Sequence, residues 1–164
     1  MQNKSKKEVS CRILTSYFYL VNEKGVDISQ ILHDIPYDKR YLLKRSERIE
    51  WSTYCKLIQN MRLFFSAADF EEVGRLHVKR GFYPEGVLAG FIFFSSNKFS
   101  KMLSKQIFRI GDQMFSCIKY KIEYAGKTHI KVTAYLDESY ENLPEFFYLT
   151  KGTDLCAVSC RRAA

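Results

Sequence analysis

Apolar residues at Val9, Ile13, Leu14, Tyr17, Phe18, Leu20 and Val21 recur at the spacing of one helix face, so Val9 to Val21 is predicted as an amphipathic helix. Gly25 stands where a left-handed C-terminal cap belongs. Asp27 is placed to cap a short second helix through Ile28, Ile31 and Leu32. That helix ends near Pro36, because proline disfavours helix in the residue before it. Tyr37 to Ile49 is charged and reads as a connecting loop with one helical turn at Tyr41-Leu42-Leu43. Ser52 is the expected N-cap of a strong helix whose stripe is Tyr54, Ile58, Met61 and Phe65, widened by Leu57 and Phe64. Ser66-Ala-Ala-Asp69 has the form of a capping box with Asp in place of Glu. It opens a helix carrying Phe70, Val73 and Val78 that closes at Gly81.

Residues 85 to 94 are small and apolar and read as a buried helix, although a short run of this kind also suits a strand. Ser95-Ser96-Asn97 supplies a cap for a further helix. Its apolar face is Phe99, Met102, Leu103, Ile107 and Ile110, and Lys98, Lys101, Lys105 and Arg109 share the opposite face. The period then changes from helix to strand. Ile118, Tyr120, Ile122 and Tyr124 alternate with Lys119, Lys121 and Glu123, and Ile130, Val132, Ala134 and Leu136 alternate with polar neighbours. Ala125-Gly126-Lys127 between them predicts an antiparallel hairpin with one core-facing side. Helices first and strands afterwards give an α+β fold: N-terminal helices packed on a C-terminal antiparallel hairpin or small sheet, in a single domain over 1–164.

Composition narrows the class. The chain has 164 residues, 46% of them apolar and 15% aromatic, which is enough for one well-filled core and excludes disordered and collagen-like classes. The longest apolar run, Val87 to Phe94, is too short to span a bilayer, and no secretory signal is visible. Five cysteines at wide spacing, an odd number, argue for free thiols in a reducing compartment, so the expected location is cytoplasmic.

Charge is uneven. The net formal charge is +8, and the stretch from Ser96 to Lys131 adds Lys119, Lys121, Lys127 and Lys131 to the four basic helix residues, against only Asp112 and Glu123. Such a field attracts phosphates or acidic partners, though a solvated face is its commonest meaning.

Candidate chemistry is sparse. Gly126-Lys127-Thr128 imitates the end of a phosphate-binding loop, but the glycine needed five positions earlier is Lys121, so a hairpin turn is the better reading. Cys156 and Cys160 have loose metal spacing without a second ligand pair, and His33, His77 and His129 stand in separate elements. His77 falls among apolar positions and reads as a satisfied core histidine. No catalytic residues, metal or cofactor are expected. The aromatic content suggests instead a seat for a small hydrophobic ligand, with Trp51, Tyr54, Phe91, Phe94 and Tyr120 as its candidate lining. Alternation sends Tyr120 and Tyr124 to the face opposite Lys119 and Lys121, which weakens a base-stacking platform on the hairpin.

Several stretches carry a family resemblance. These are Gly25-Val-Asp-Ile-Ser-Gln-Ile-Leu32, Ile49-Glu-Trp-Ser-Thr-Tyr-Cys-Lys-Leu57, Val73-Gly-Arg-Leu-His77 with Gly81-Phe82, the hairpin, and Phe146-Phe147-Tyr-Leu-Thr-Lys-Gly152. In this order they resemble the N-terminal sensory or regulatory regions of bacterial signalling proteins, those ahead of histidine-kinase, nucleotide-cyclase or AraC-type output domains. The resemblance covers residues 9–153. Residues 154–164 are atypical for it, as expected of an isolated or truncated module. It implies a non-enzymatic module that binds a small molecule or a signalling output protein, relays a conformational change and can form a homodimer. The haem-binding Tyr-x-Ser-x-Arg motif of related sensors is absent from the sequence. The alternative is a basic binder of nucleic acid or an acidic partner acting through Lys98, Lys101, Lys105 and Arg109.

Overall fold

In a computed structural model, residues 6–79, 111–125 and 129–152 are described. The expected helices over 85–94 and after Asn97, the closure at Gly81, the hairpin turn itself and the tail from residue 153 lie outside them. The fold is α+β, with two small antiparallel sheets among the described residues. Among the described residues no helix is long and apolar enough to cross a membrane.

The chain enters as a strand, β1 (Val9–Ser10), then makes a 3₁₀ turn (Cys11–Ile13) and α1 (Leu14–Glu23). The helix therefore starts five residues later than the apolar spacing predicts. Val9 fits the helical stripe numerically, but its backbone is in a sheet: it pairs with Ile49 of β2 (Arg48–Ile49) and bridges Phe115. Ser10, in extended conformation, accepts from the Arg12 N–H at 3.4 Å and marks the true entry to the helical segment.

Local signals settle the other ends. Gly25 has φ +65°, and the N–H groups of Gly25 and Val26 donate to the carbonyls of Asn22 and Val21, each at 3.1 Å, which closes α1 with a Schellman motif. Asp27 caps α2 (Ile28–Ile31) and Asp38 caps α3 (Lys39–Leu42), each accepting a first-turn N–H, at 2.9 and 2.6 Å. The segment from Tyr37 to Ile49 holds the expected helical turn, beginning two residues earlier, and also a strand that was not expected. A two-residue strand is too short to show a period.

α4 (Trp51–Met61) carries the buried stripe Trp51, Tyr54, Leu57, Ile58 and Met61. Ser52 does not cap it. Ser52 is exposed within the first turn, and the Trp51 N–H donates instead to Glu8 Oε2, 3.0 Å away, from the chain just before β1. The expected capping box does open α5 (Ala67–Lys79): Asp69 Oδ2 accepts from the Ser66 N–H at 2.8 Å and Ser66 Oγ lies 3.4 Å from the Asp69 N–H. α6 (Glu145–Gly152) packs along α5, and its Glu145 takes a two-pronged contact from Arg62 at 2.5 Å.

The expected hairpin is present. β3 (Ile118–Ala125) pairs with β4 (His129–Leu136) in continuous register from Ile118↔Leu136 to Ala125↔His129. Its base joins the helical core through buried Ile118 and half-buried Ala134 and Leu136, while Lys119 and Lys121 are exposed.

Asn60, 8% exposed, ties α2 to α4 by donating from Nδ2 to the carbonyls of Ile31 and His33 at 3.0 and 2.7 Å. Removing it leaves two carbonyls at a helix end without their donor. Asn60→Ala is therefore expected to cost roughly 2 kcal/mol in urea unfolding. A loss below about 0.5 kcal/mol would show that water replaces the amide.

Candidate functional site

Trp51 opens α4 and Tyr54 follows one turn on, so both point to the same buried side; they are 3% and 0% exposed. Their rings lie 5.5 Å apart between centroids and begin a continuous aromatic row. Phe115 lies 5.6 Å from Tyr54 and 6.2 Å from Trp51, in edge-on contact with both. Phe146 of α6 meets Phe115 at 5.1 Å, and Tyr140 meets Trp51 at 6.4 Å. On the other side, Tyr17 of α1 meets Tyr54 at 6.2 Å and His77 at 6.4 Å. The row thus joins α1, α4, α5 and α6 to the segment leading into β3, and edge-to-face pairs of this kind contribute beyond their buried area.

A few polar groups punctuate these rings. The Tyr17 and Tyr54 hydroxyls are 2.7 Å apart in the core, and burial pushes the Tyr17 phenol well above its usual range. A protonated phenol both donates and accepts, so either hydroxyl can supply the proton of this bond. Trp51 Nε1–H donates to the Glu141 carbonyl at 2.9 Å, and Tyr140 O–H donates to Glu8 Oε1 at 3.2 Å. Gln59 Nε2 donates to Glu141 Oε1 at 2.9 Å, a second contact to that residue. Residues 137–144, which run from β4 to α6, therefore form a strap fastened across the Trp51 end of the row, with Leu143 buried beneath it.

His77 closes the other end. Its Nδ1 lies 2.8 Å from the Val73 carbonyl, which only a protonated nitrogen can approach as a donor, and Ser16 Oγ lies 3.0 Å from Nε2. Burial lowers its pKa to about 4, so the ring is neutral near pH 7. Cys11, Cys55 and Cys117 are free and buried, and burial raises their thiols to about 11, 12 and 12. Protonated thiols in apolar surroundings are poor nucleophiles. Among the described residues no group of three or more His, Cys, Asp or Glu is gathered as a metal site.

Of the five residues read as a ligand seat, the structure brings Trp51 and Tyr54 together. Tyr120 is placed on β3 opposite Ala134. Phe91 and Phe94 lie outside the described residues, as do Lys98, Lys101, Lys105 and Arg109 of the basic face and the pair Cys156 and Cys160. Sequence reasoning missed Glu8, Phe115 and Tyr140 at this site. Phe115 and Tyr140 lie in short connections with no period, and Glu8 is one acid in a lysine-rich stretch. Tyr17 was legible as a core residue on the α1 stripe, but its hydroxyl partner was not. No protein-family model, curated protein or solved structure matches the chain.

The depressed His77 pKa sets a pH dependence. The unfolded imidazole takes a proton near the ordinary histidine value of 6.5, whereas the folded one resists until about 4. Its contribution is therefore complete above about 6.5 and is lost as pH falls towards about 4; the gap corresponds to about 3 kcal/mol. His77→Gln is expected to lose less stability than the parent between about pH 7 and 4.5 in urea titrations. Identical pH slopes in the two proteins would contradict the assignment.

Proposed function

We propose that this chain is a non-enzymatic sensory or regulatory module of bacterial signal transduction, which binds a small hydrophobic molecule at the Trp51 end of the aromatic row and relays the event through the 137–144 strap. The observation that carries this reading is the fastening of the strap to the row itself, through Trp51 Nε1–H on the Glu141 carbonyl. A largely apolar interior with a few convergent polar groups is the usual chemistry of a small-molecule seat. A ligand that inserts beside Trp51 competes with the Tyr140 and Glu141 contacts and favours the arrangement with the strap released. The strap links β4 to α6, so its release changes how the hairpin and α6 are held. That is a population shift between two packings, and its size is set by the ligand's preference for one of them. The resemblance in the sequence to sensory regions of bacterial signalling proteins points the same way.

A second reading is favoured by Lys119 and Lys121, which stand exposed on one face of β3 and extend the basic stretch that begins at Lys98. In it the protein is a basic binder of nucleic acid or of an acidic partner. Its mark is affinity that falls steeply as salt rises, because phosphate contacts release counterions.

The chain has a single tryptophan, so its fluorescence reports on the proposed seat alone. Native mass spectrometry of the purified protein, followed by titration with anilinonaphthalene sulfonate, tests the first reading. The expected result is either a small mass lost on denaturation or one-to-one dye binding that quenches Trp51, weakened in Tyr54→Ala. A bare protein that binds no dye, but binds a DNA oligomer with a steep salt dependence, would replace it by the second.

A further inference from the structure

Lys7, just before β1, is exposed, and its ammonium makes no ion pair with a carboxylate among the described residues. It rests on two tyrosines instead. Nζ donates to Tyr41 Oη at 2.9 Å and lies 4.8 and 5.2 Å from the ring centroids of Tyr37 and Tyr41. The two half-buried rings are stacked, with centroids 4.5 Å apart and planes 15° from parallel. Each ring is locked from behind: Tyr37 O–H donates to both Glu50 carboxylate oxygens at 3.0 and 2.9 Å, and Tyr41 O–H donates to the Arg48 carbonyl at 3.1 Å. Asp38, between them, fixes the backbone by capping α3. Two preoriented phenol rings with a carboxylate hydrogen-bonded to one of them supply the chemistry that recognises an alkylammonium group, through ring faces and a polarised oxygen.

We propose that the Tyr37–Tyr41 pair is an alkylammonium-binding site which Lys7 fills from within the same chain, and which takes the ammonium group of an external ligand when Lys7 withdraws. The occupant already present defines the chemical class: a primary or methylated amine on an aliphatic stem. Withdrawal does not disturb β1. The Lys7 carbonyl is held separately by Arg48 Nε–H at 3.0 Å, and the strand pairs through Val9 and Ser10. Lys7 therefore acts as a tethered competitor whose side chain can swing away while the backbone stays. The hydrogen bonds to Tyr41 and Tyr37 also hold the Lys7 ammonium in its charged form. The proposal does not rest on reading the Trp51 row as a ligand seat and stands or falls separately from it.

The test uses the full chain and two probes, tetramethylammonium chloride and a short peptide carrying trimethyllysine, followed by the tyrosine ring resonances in NMR spectra. In Lys7→Ala, both probes are expected to shift Tyr37 and Tyr41 saturably, with affinity roughly tenfold above that of the parent, in which Lys7 competes. Tyr37→Ala in the Lys7→Ala background is expected to abolish the shifts. Tighter binding of the peptide would assign the ligand to a protein partner, and tighter binding of tetramethylammonium to a free amine. Lys7→Gln serves as a second freed variant, and unchanged Trp51 emission shows that either has folded. The proposal is overturned if neither folded variant gives a saturable shift, if the parent binds equally well, or if binding survives the loss of Tyr37.

Discussion

The placement of Trp51, and with it the aromatic row, depends on one buried carboxylate, that of Glu8. At 5% exposure it accepts the Trp51 N–H with one oxygen and the Tyr140 O–H with the other. Its own carbonyl accepts from the Ser116 N–H at 2.9 Å and from the Arg48 guanidinium. Arg48 extends the clasp by donating to the carbonyls of Lys7 and Gln113 at 3.0 and 2.6 Å. An unpaired carboxylate would be costly at that depth. Here the positive end of α4 and two hydrogen bonds stabilise it, and in return it satisfies a first-turn N–H that no α4 side chain caps. Residue 8 thereby joins four stretches of chain that are far apart in sequence: β1, α4, the entry to β3, and the strap.

That arrangement gives the proposed relay its physical form. The strap is short and carries one buried apolar anchor, Leu143, together with the Tyr140 and Glu141 hydrogen bonds to the α4 end of the row. Few buried contacts and several exchangeable hydrogen bonds are what a low-stability local unit looks like. The opposite end of the row differs. There Tyr17, Tyr54, Ser16 and His77 are sealed into the core. The exchangeable contacts therefore lie at the Trp51 end, which is where the proposed ligand would act.

How much of this could be read from the chain follows from the range of each interaction. Gly25, Asp27 and the Ser66–Asp69 box act within four residues, so residue identity and spacing suffice to find them. The hairpin was legible because its alternation runs through eight residues on each strand. The helical stripe likewise marked Tyr54 as buried, whereas Trp51, ahead of the expected cap at Ser52, stood out only by its aromatic type. β1 and β2 were not legible: two residues have no period, and what makes Val9 a strand residue is its contact with Ile49 and Phe115, far away in sequence. The α4 cap failed for the same reason. Ser52 is the right residue type in nearly the right place, but a distant carboxylate took the position, and nothing in the local sequence around Glu8 marks it. Lys7 on its tyrosine pair is equally non-local.

The most direct test of this account is amide hydrogen exchange on Glu8→Ala and Glu8→Gln, resolved along the chain. If the Glu8 carboxylate is the common fastening, the alanine variant should speed exchange together at Trp51 and in the strap at 139–143, whose bonds it accepts. The expected acceleration is about tenfold or more, and glutamine, which keeps one acceptor oxygen, should restore part of the protection. Faster exchange confined to residues 7–10, with Trp51 and the strap unchanged, would contradict it.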